Sequence, residues 1–476
     1  MMKRTWQYQL RGLMLPGLKR WIVFIGLGIF GIVFGVCLLL DLHPVDATFR
    51  FTRELLSDAT RLLPSRVSGL LALLAGGILV FASVVKILHN ILGAYFPDDR
   101  ESIPDVLYRK RHLERGPKVV VVGGGTGLST LLRGLKGFTH NITAVVTVGD
   151  DGGSSGRLRQ ELGVLPPGDL RNCITALADE DKLVTELFRY RFERGDGLEG
   201  HSFGNLFLTA VSAITKGDML EAARVASRVL NSCGQVLPST LVSMTLHAEF
   251  TDGRTVCGES SITDADGQIR RLSCEPACPE ATPEAIEAIK NADMLVLGPG
   301  SLYTSIIPNL LVNGIPEAIS ESKARKIYVC NVMTQKGETT NYTVADHVIA
   351  ILQHAGFGPN VPGRPSGKLL EAVLVNGQPP TFDGNLPAIP VRYDPDRLKE
   401  LGVRAVVRPL CGADFPGHHD PIKLAQSLML WYFRQKPGRT GKSSGRLARV
   451  QSVQPGKVQQ PTETAASAST SAPTLP

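Results

Sequence analysis

Six segments of this 476-residue chain place glycines, hydroxyls, carboxylates or an imidazole where an apolar run ends or a helix begins. The first is Gly123-Gly124-Gly125-Thr126-Gly127, directly after Lys118 and four valines. Glycines at the start of a helix leave backbone N–H groups free at the positive end of its dipole, which suits an anion such as a phosphate. The motif has neither the Gly-Lys-Ser/Thr of a Walker loop nor the third glycine of the dinucleotide fingerprint. The second segment, Gly149 to Arg157, follows the apolar run Ile142 to Val148. Its Asp150 and Asp151 are candidates to hold a divalent cation, to accept hydrogen bonds from a ribose or sugar, or to act as a base. Gly153 and Ser154 lie beside them, and Arg157, Arg159 and Arg171 are candidates to face a phosphate.

Asp169-Leu170-Arg171-Asn172 opens a helix after Pro166-Pro167-Gly168, with Asp169 expected as its N-cap. His201-Ser202-Phe203-Gly204-Asn205 marks another loop-to-helix junction, where His201 and Asn205 offer hydrogen bonds to a ligand. Met294 to Leu297 runs into Gly298-Pro299-Gly300-Ser301 and on to Ser305, and Ile327 to Val332 leads into Met333 to Thr339. The adjacent His418 and His419 diverge on either helix or strand and suggest no metal. Asp264-Ala265-Asp266-Gly267 has its glycine at the wrong position for a calcium loop and is expected to be a turn. With no nucleophile elbow, Ser-His-Asp order or kinase signature, the residues point to a phosphorylated, nucleotide-like ligand and no further.

Positioning these segments calls for strands that end where the loops start. Four consecutive valines suit a strand buried on both faces, and a helix is expected from Ser129 onward. The predicted fold is a doubly wound, mainly parallel, Rossmann-like α/β sheet, in which ligands bind outside the carboxyl ends of the strands. Val236 to Phe250 and Arg254 to Leu272 alternate in strand fashion. They are expected to form a small antiparallel insertion with turns at Thr251 to Gly253 and Asp264 to Gly267. Asp420 and Pro421 read as cap and first residue of the last helix.

The formal net charge of +7 is a property of the ends. Residues 1–20 hold five Lys or Arg and no acid, residues 434–476 hold seven against one Glu, and the middle is net acidic. A nucleic-acid-binding body is therefore not supported. Trp21 to Leu40 runs without a charge and is long enough to cross the ~30 Å hydrocarbon layer of a bilayer. A second apolar run lies within 69–92, so residues 21–92 are expected to form a transmembrane hairpin of helices at about 21–40 and 69–92. Basic residues on both flanks put both ends in the cytoplasm. A linker (93–117), the α/β body (118–433) and a disordered tail (434–476), basic and then rich in Ser, Thr and Pro, complete the organisation. Eight scattered cysteines fit a reducing compartment with no disulfide or zinc use.

The stretches VVVVGGGTGLSTLLRGLK, VTVGDDGGSSGRLR, LPPGDLRNCITALAD, GHSFGNLFL, VLGPGSLYTSIIPNLLV and CNVMTQKGET occur in order and closely resemble the gluconeogenesis factor family, the YvcK-like proteins. These belong to a wider group with the 2-phospho-L-lactate transferase (CofD-like) fold. The resemblance, over about residues 117–433, implies a UDP-sugar-binding regulator with UDP-N-acetylglucosamine as ligand, serving cell shape and envelope synthesis during gluconeogenic growth. It implies Gly124, Gly125, Thr126, Gly127, Asp150, Asp151, Gly153, Ser154, Arg157, Asp169, Arg171, Asn172, His201, Asn205, Gly298, Gly300, Ser301 and Ser305 around the ligand. No cofactor is required, although Mg²⁺ is a candidate companion of the nucleotide at Asp150 and Asp151. Envelope-synthesis enzymes are candidate partners, and self-association is the default for such a body. The transferases carry Asn-Thr-Gly-Asp-Asp where this chain has Thr147-Val148-Gly149-Asp150-Asp151, which weighs against deazaflavin chemistry; transfer of a phospholactyl or related group is the alternative function.

Overall fold

An uncharged apolar run of this length satisfies all its backbone groups within itself as a helix. The computed structural model folds it as α1 (Leu18–Leu39), followed by α2 (Ser65–Tyr95). The structure describes residues 18–40, 64–95, 111–178, 182–357, 367–378, 389–412 and 417–434. The expected basic N-terminus, most of the linker and the tail lie outside these. The chain divides into two units, Met1–Arg109 and Lys110–Pro476.

In the first unit the two helices meet along glycines. A Cβ on Gly35 would lie 2.7 Å from the carbonyl of Gly69, and one on Gly76 would lie 2.7 Å from the carbonyl of Gly28. Ser83, buried among apolar side chains, returns its hydroxyl to the Leu79 carbonyl at 2.7 Å. Large apolar side chains such as Phe24, Leu27, Leu74 and Phe81 point away from the seam and are exposed. Trp21–Leu39 and Arg66–Ile87 are long and apolar enough to cross a membrane. The second helix starts earlier than the sequence suggested, because Ser65 and Arg66 extend it beyond the apolar run.

The second unit is built on a seven-stranded sheet. Its strands are β1 (Val119–Gly123), β2 (Ile142–Val146), β3 (Gln235–Pro238), β7 (Met294–Leu297), β8 (Arg325–Val329), β9 (Ala372–Asn376) and β10 (Arg404–Arg408). All neighbours run parallel, in the order β10-β9-β8-β7-β1-β2-β3. β1 is wholly buried, as its valines demand. The chain winds from β1 through β2 to β3, then crosses to the other side of β1 for β7 to β10. The reversal, where such sheets bind ligands, therefore lies between β1 and β7.

A three-stranded antiparallel sheet, order β5-β4-β6, is inserted between β3 and β7: β4 (Thr245–Phe250), β5 (Thr255–Cys257) and β6 (Ile269–Glu275). Two expectations are corrected here. Val236 to Phe250 is not one strand: Val236, Leu237 and Pro238 are all buried and extend the parallel sheet, and alternation begins only at Thr245. Pro238 has no N–H to carry the ladder on. Asp264 to Gly267 does not join two paired strands either, because a short helix, α7 (Glu259–Asp264), intervenes and β5 and β6 flank β4 on opposite sides.

Of the helices around the sheet, α3 (Gly125–Leu135), α4 (Gly153–Leu162), α5 (Gly168–Leu177) and α6 (Phe203–Ile214) carry the segments singled out by sequence. α8 (Pro421–Arg434) closes the body, capped as expected by Asp420, which accepts the N–H groups of Ile422 and Lys423 at 2.9 Å. α3 begins four residues before the expected Ser129, so the glycines form its first turn. His419 is buried, contacts the Cys330 carbonyl at 3.2 Å through Nε2, and is pushed down to about 4 by burial, so it is a neutral structural side chain.

α3 and α8 pack backbone to backbone at Gly134, where a Cβ would collide with the carbonyl of Pro421. Replacing a mid-helix glycine by alanine stabilises a helix by about 1 kcal/mol, whereas forced overpacking costs about 1–3 kcal/mol. Because the obstacle is backbone rather than a movable side chain, the clash prevails. Gly134→Ala is expected to lower the denaturant midpoint of the full chain in detergent; an unchanged or raised midpoint would show that α8 yields.

Candidate functional site

β1 ends in Gly123 and β7 runs directly into Gly298 beside it, and the loops that follow touch through main chain. A Cβ on Gly127 would lie 2.8 Å from the Pro299 carbonyl and 3.0 Å from the Gly300 nitrogen; one on Gly300 would lie 3.1 Å from the Gly124 carbonyl. Gly125 adopts φ +68°, which a side chain would strain, and Ser305 Oγ stands 3.3 Å from where its Cβ would be. The Gly123 carbonyl accepts from Thr147 N–H at 3.0 Å and from Asn309 Nδ2 at 3.2 Å, tying in the β2 loop and the helix after β7. Thr126 is exposed and Gly125, Gly127, Gly300 and Ser301 are half-buried, so the first turn of α3 is open to a ligand.

The loop after β8 braces this floor from beyond. Asn331 Nδ2 donates to the Gly300 carbonyl at 2.9 Å, and Gln335 Nε2 donates to Ser301 Oγ at 2.9 Å. Glu338 is buried and accepts the Tyr303 N–H and the Thr304 hydroxyl, each at 2.8 Å, so it caps the turn Leu302–Ile306. Burial pushes its carboxyl up, against those two bonds. None of the three was singled out individually by sequence, since only the fold brings the loops together.

The carboxylates are distributed unexpectedly. Asp169 is not the N-cap of α5, because Pro167 holds that place and the helix starts at Gly168. Its carboxyl instead turns to the β1 loop, where it accepts the Gly125 N–H and where a Cβ on Gly124 would lie 2.5 Å from Oδ2. Burial first, then neighbouring Asp150, push Asp169 up to about 7. Asp150 Oδ1 accepts the Gly152 N–H at 3.0 Å, and the side chain is hydrogen-bonded to Glu259 of α7. Glu259 is raised well above the carboxylate range, by burial and then by Asp150 and Asp169. Three carboxyls from distant segments thus share a region, and two of them, Asp169 and Glu259, retain protons near neutrality.

Asp151 turns the other way. Its Oδ1 accepts the Ser260 N–H at 2.9 Å and its other oxygen packs against Gly258, which has φ +93°. It clips α7 to the β2 loop. Among the described residues no three His, Cys, Asp or Glu side chains stand at metal-ligand spacing.

Behind the loops, three helix N-termini meet in one polar network. Ser154 Oγ of α4 bonds His201 Nδ1 at 3.0 Å and accepts from Asn205 Nδ2 of α6 at 3.1 Å. Arg171 of α5 donates to Asn205 Oδ1 at 3.0 Å, to Ser202 Oγ and to Asn172 Oδ1 at 2.7 Å. His201 is buried, and burial followed by Arg157 lowers its pKa. Ser154, His201 and Asn205 are therefore supports rather than open groups. Gly153 is exposed at the loop, while Arg157 turns to the rim and donates to the Glu199 carbonyl at 2.6 Å. Arg159 is spent on Thr245 Oγ1 at 2.9 Å.

A family model for 2-phospho-L-lactate transferase CofD matches residues 119–411. The chain is 50% identical over 426 residues to a putative gluconeogenesis factor of Nostoc sp., spanning 88% of this chain and 91% of that one. It is 48% identical over 295 residues to the gluconeogenesis factor of Bacillus subtilis, spanning 61% and 90%. A crystal structure of a UPF0052 family protein from Bacillus halodurans aligns with a TM-score of 0.60 at 45% identity, covering 66% of this chain and 99% of that one.

The raised Asp169 has a consequence for pH. Its folded pKa exceeds the unfolded value, so the stability it contributes is complete below about pH 4 and is lost as pH rises through about 7. Asp169→Asn keeps an oxygen for the Gly125 N–H and removes the titration. The variant's thermal midpoint is expected to fall less than that of the wild type between pH 5 and 8; parallel curves would mean that Asp169 ionises normally.

Proposed function

The chain belongs to the 2-phospho-L-lactate transferase CofD family and, within it, to the gluconeogenesis factors, and we propose that it is a membrane-tethered binding protein for a UDP-sugar. The ligand is UDP-N-acetylglucosamine, and the role is regulation of cell shape and envelope synthesis during gluconeogenic growth, acting on envelope-synthesis enzymes. The observation that carries this reading is the main-chain floor at the sheet reversal, where the first turn of α3 lies open beside Gly300 and Ser301. A diphosphate needs many N–H donors and little side-chain bulk, which such a floor supplies. Asp150 and Asp169 suit the hydroxyls of a ribose or sugar, and the protons held around them limit repulsion of the diphosphate.

The tether rests on the outward faces of α1 and α2, whose exposed large apolar side chains are unlike the buried ones of a soluble core helix. The Nostoc relative aligns over more residues than the body contains, so that likeness runs beyond the α/β unit. A second reading, transfer of a phospholactyl or related phosphorylated group, is favoured by Asp169, since a group titrating near neutrality can give or take a proton. Mg²⁺ accompanying the nucleotide would be held at Asp150 and Asp151.

Calorimetry of the full chain in detergent with UDP-N-acetylglucosamine, UDP-glucose and NAD, with and without Mg²⁺, tests both. Selective binding of the first without turnover is expected, weakened about tenfold or more in Gly127→Ala, whose Cβ meets the Pro299 carbonyl. Absence of UDP-sugar binding together with consumption of a phospholactyl donor would replace the regulator by the transferase. Recovery of the intact chain in the soluble fraction of lysed cells would remove the tether.

A further inference from the structure

The antiparallel sheet turns one face to solvent, and on it a thiol, an imidazole and a carboxylate line up across three strands. Cys257 on β5 stands directly opposite His247 on β4, with Sγ 3.0 Å from Nδ1. On the far side of β4, Glu275 of β6 places Oε2 3.4 Å from Nε2 of the same ring. Glu275 pairs in register with Thr245, two residues from His247 on the same face, so the carboxylate reaches the imidazole diagonally. Cys257 and Cys278 are the exposed cysteines; the other six are buried or half-buried, and none of the eight is in a disulfide.

We propose that Cys257 is a thiol-modification site, an imidazole-assisted nucleophile that takes a low-molecular-weight disulfide as its substrate. His247 presents Nδ1, 3.0 Å from Sγ, as the acceptor for the thiol proton, and the Glu275 carboxylate 3.4 Å from Nε2 offsets the positive charge that the ring then carries. The thiolate attacks one sulfur of the disulfide. A bond forms between Cys257 Sγ and that sulfur, the original S–S bond breaks, and the departing thiolate takes the proton back from the imidazole. One disulfide and one thiol enter and one of each leaves, so no other oxidant is needed. The position matters because Cys257 directly precedes Gly258, Glu259 and Ser260, the residues that clip Asp151 and face Asp150. This proposal stands independently of the ligand of the main cleft.

The test is a time course of the full chain in detergent with oxidised glutathione at pH 7.5, the mixed disulfide at each cysteine being quantified by peptide mass spectrometry. Cys257 is expected to react about tenfold faster or more than Cys278, its exposed internal comparator. His247→Gln, on the solvent face of the sheet, is expected to bring Cys257 down to the Cys278 rate. Equal rates at the two cysteines in the unaltered chain would overturn the proposal without any variant, as would a fast Cys257 reaction that survives in His247→Gln.

Discussion

The organisation of the body depends on the contact of two pieces of main chain. The loops after β1 and β7 approach until Gly127 and Gly300 lie against the backbone of Pro299 and Gly124, too close for a Cβ at Gly127 and tight for one at Gly300. Parallel order alone would only set the two strand ends side by side; the glycines convert adjacency into one surface. The surroundings hold that surface from both flanks. Asp169 and Thr147 crowd Gly124 on one side, while Asn309, Asn331, Gln335 and Glu338 fasten the other. Most of these are amide or carboxylate side chains bonded to main chain, the grouping expected where loops rather than strands must be made rigid.

Electrostatics in this region is a balance of opposing sources. Asp150, Asp169 and Glu259 repel one another in a partly desolvated space, which alone would drive them apart. The N-termini of α4, α5 and α6 and the Arg171 guanidinium oppose that repulsion with positive potential from the adjoining network. Protons held by Asp169 and Glu259 supply the remainder. Charge in such a cleft is adjustable: an entering anion can be met by proton uptake instead of by movement of the chain.

Much of this was legible in the sequence because it is local. A run of valines closing on glycines, a Pro after an Asp, and an uncharged stretch of bilayer length each act over a few residues, and each became the expected strand, helix start or apolar helix. The misreadings arose where neighbours are remote. Asp169 follows two prolines and has the composition of a cap, yet Pro167 shifts the helix start and the carboxyl finds Gly125 instead. The remote partners of Asp151 and Asp150, Ser260 109 residues away for the first and Glu259 for the second, are likewise invisible in sequence. Val236 to Phe250 alternates well enough for one strand, but Pro238 divides it between two sheets.

The seam of the N-terminal hairpin has a mechanical implication. Gly28 meets Gly76 and Gly35 meets Gly69, two contacts seven residues, or about 10 Å, apart along each axis. Each glycine occupies a notch in the opposite backbone, and sliding one helix by a turn would set side chains such as those of Ile32 and Leu73 where only hydrogen atoms fit. The hairpin therefore has one register. It resists displacement of one helix along the other, so the pair behaves as a single stiff rod rather than as two sliding ones.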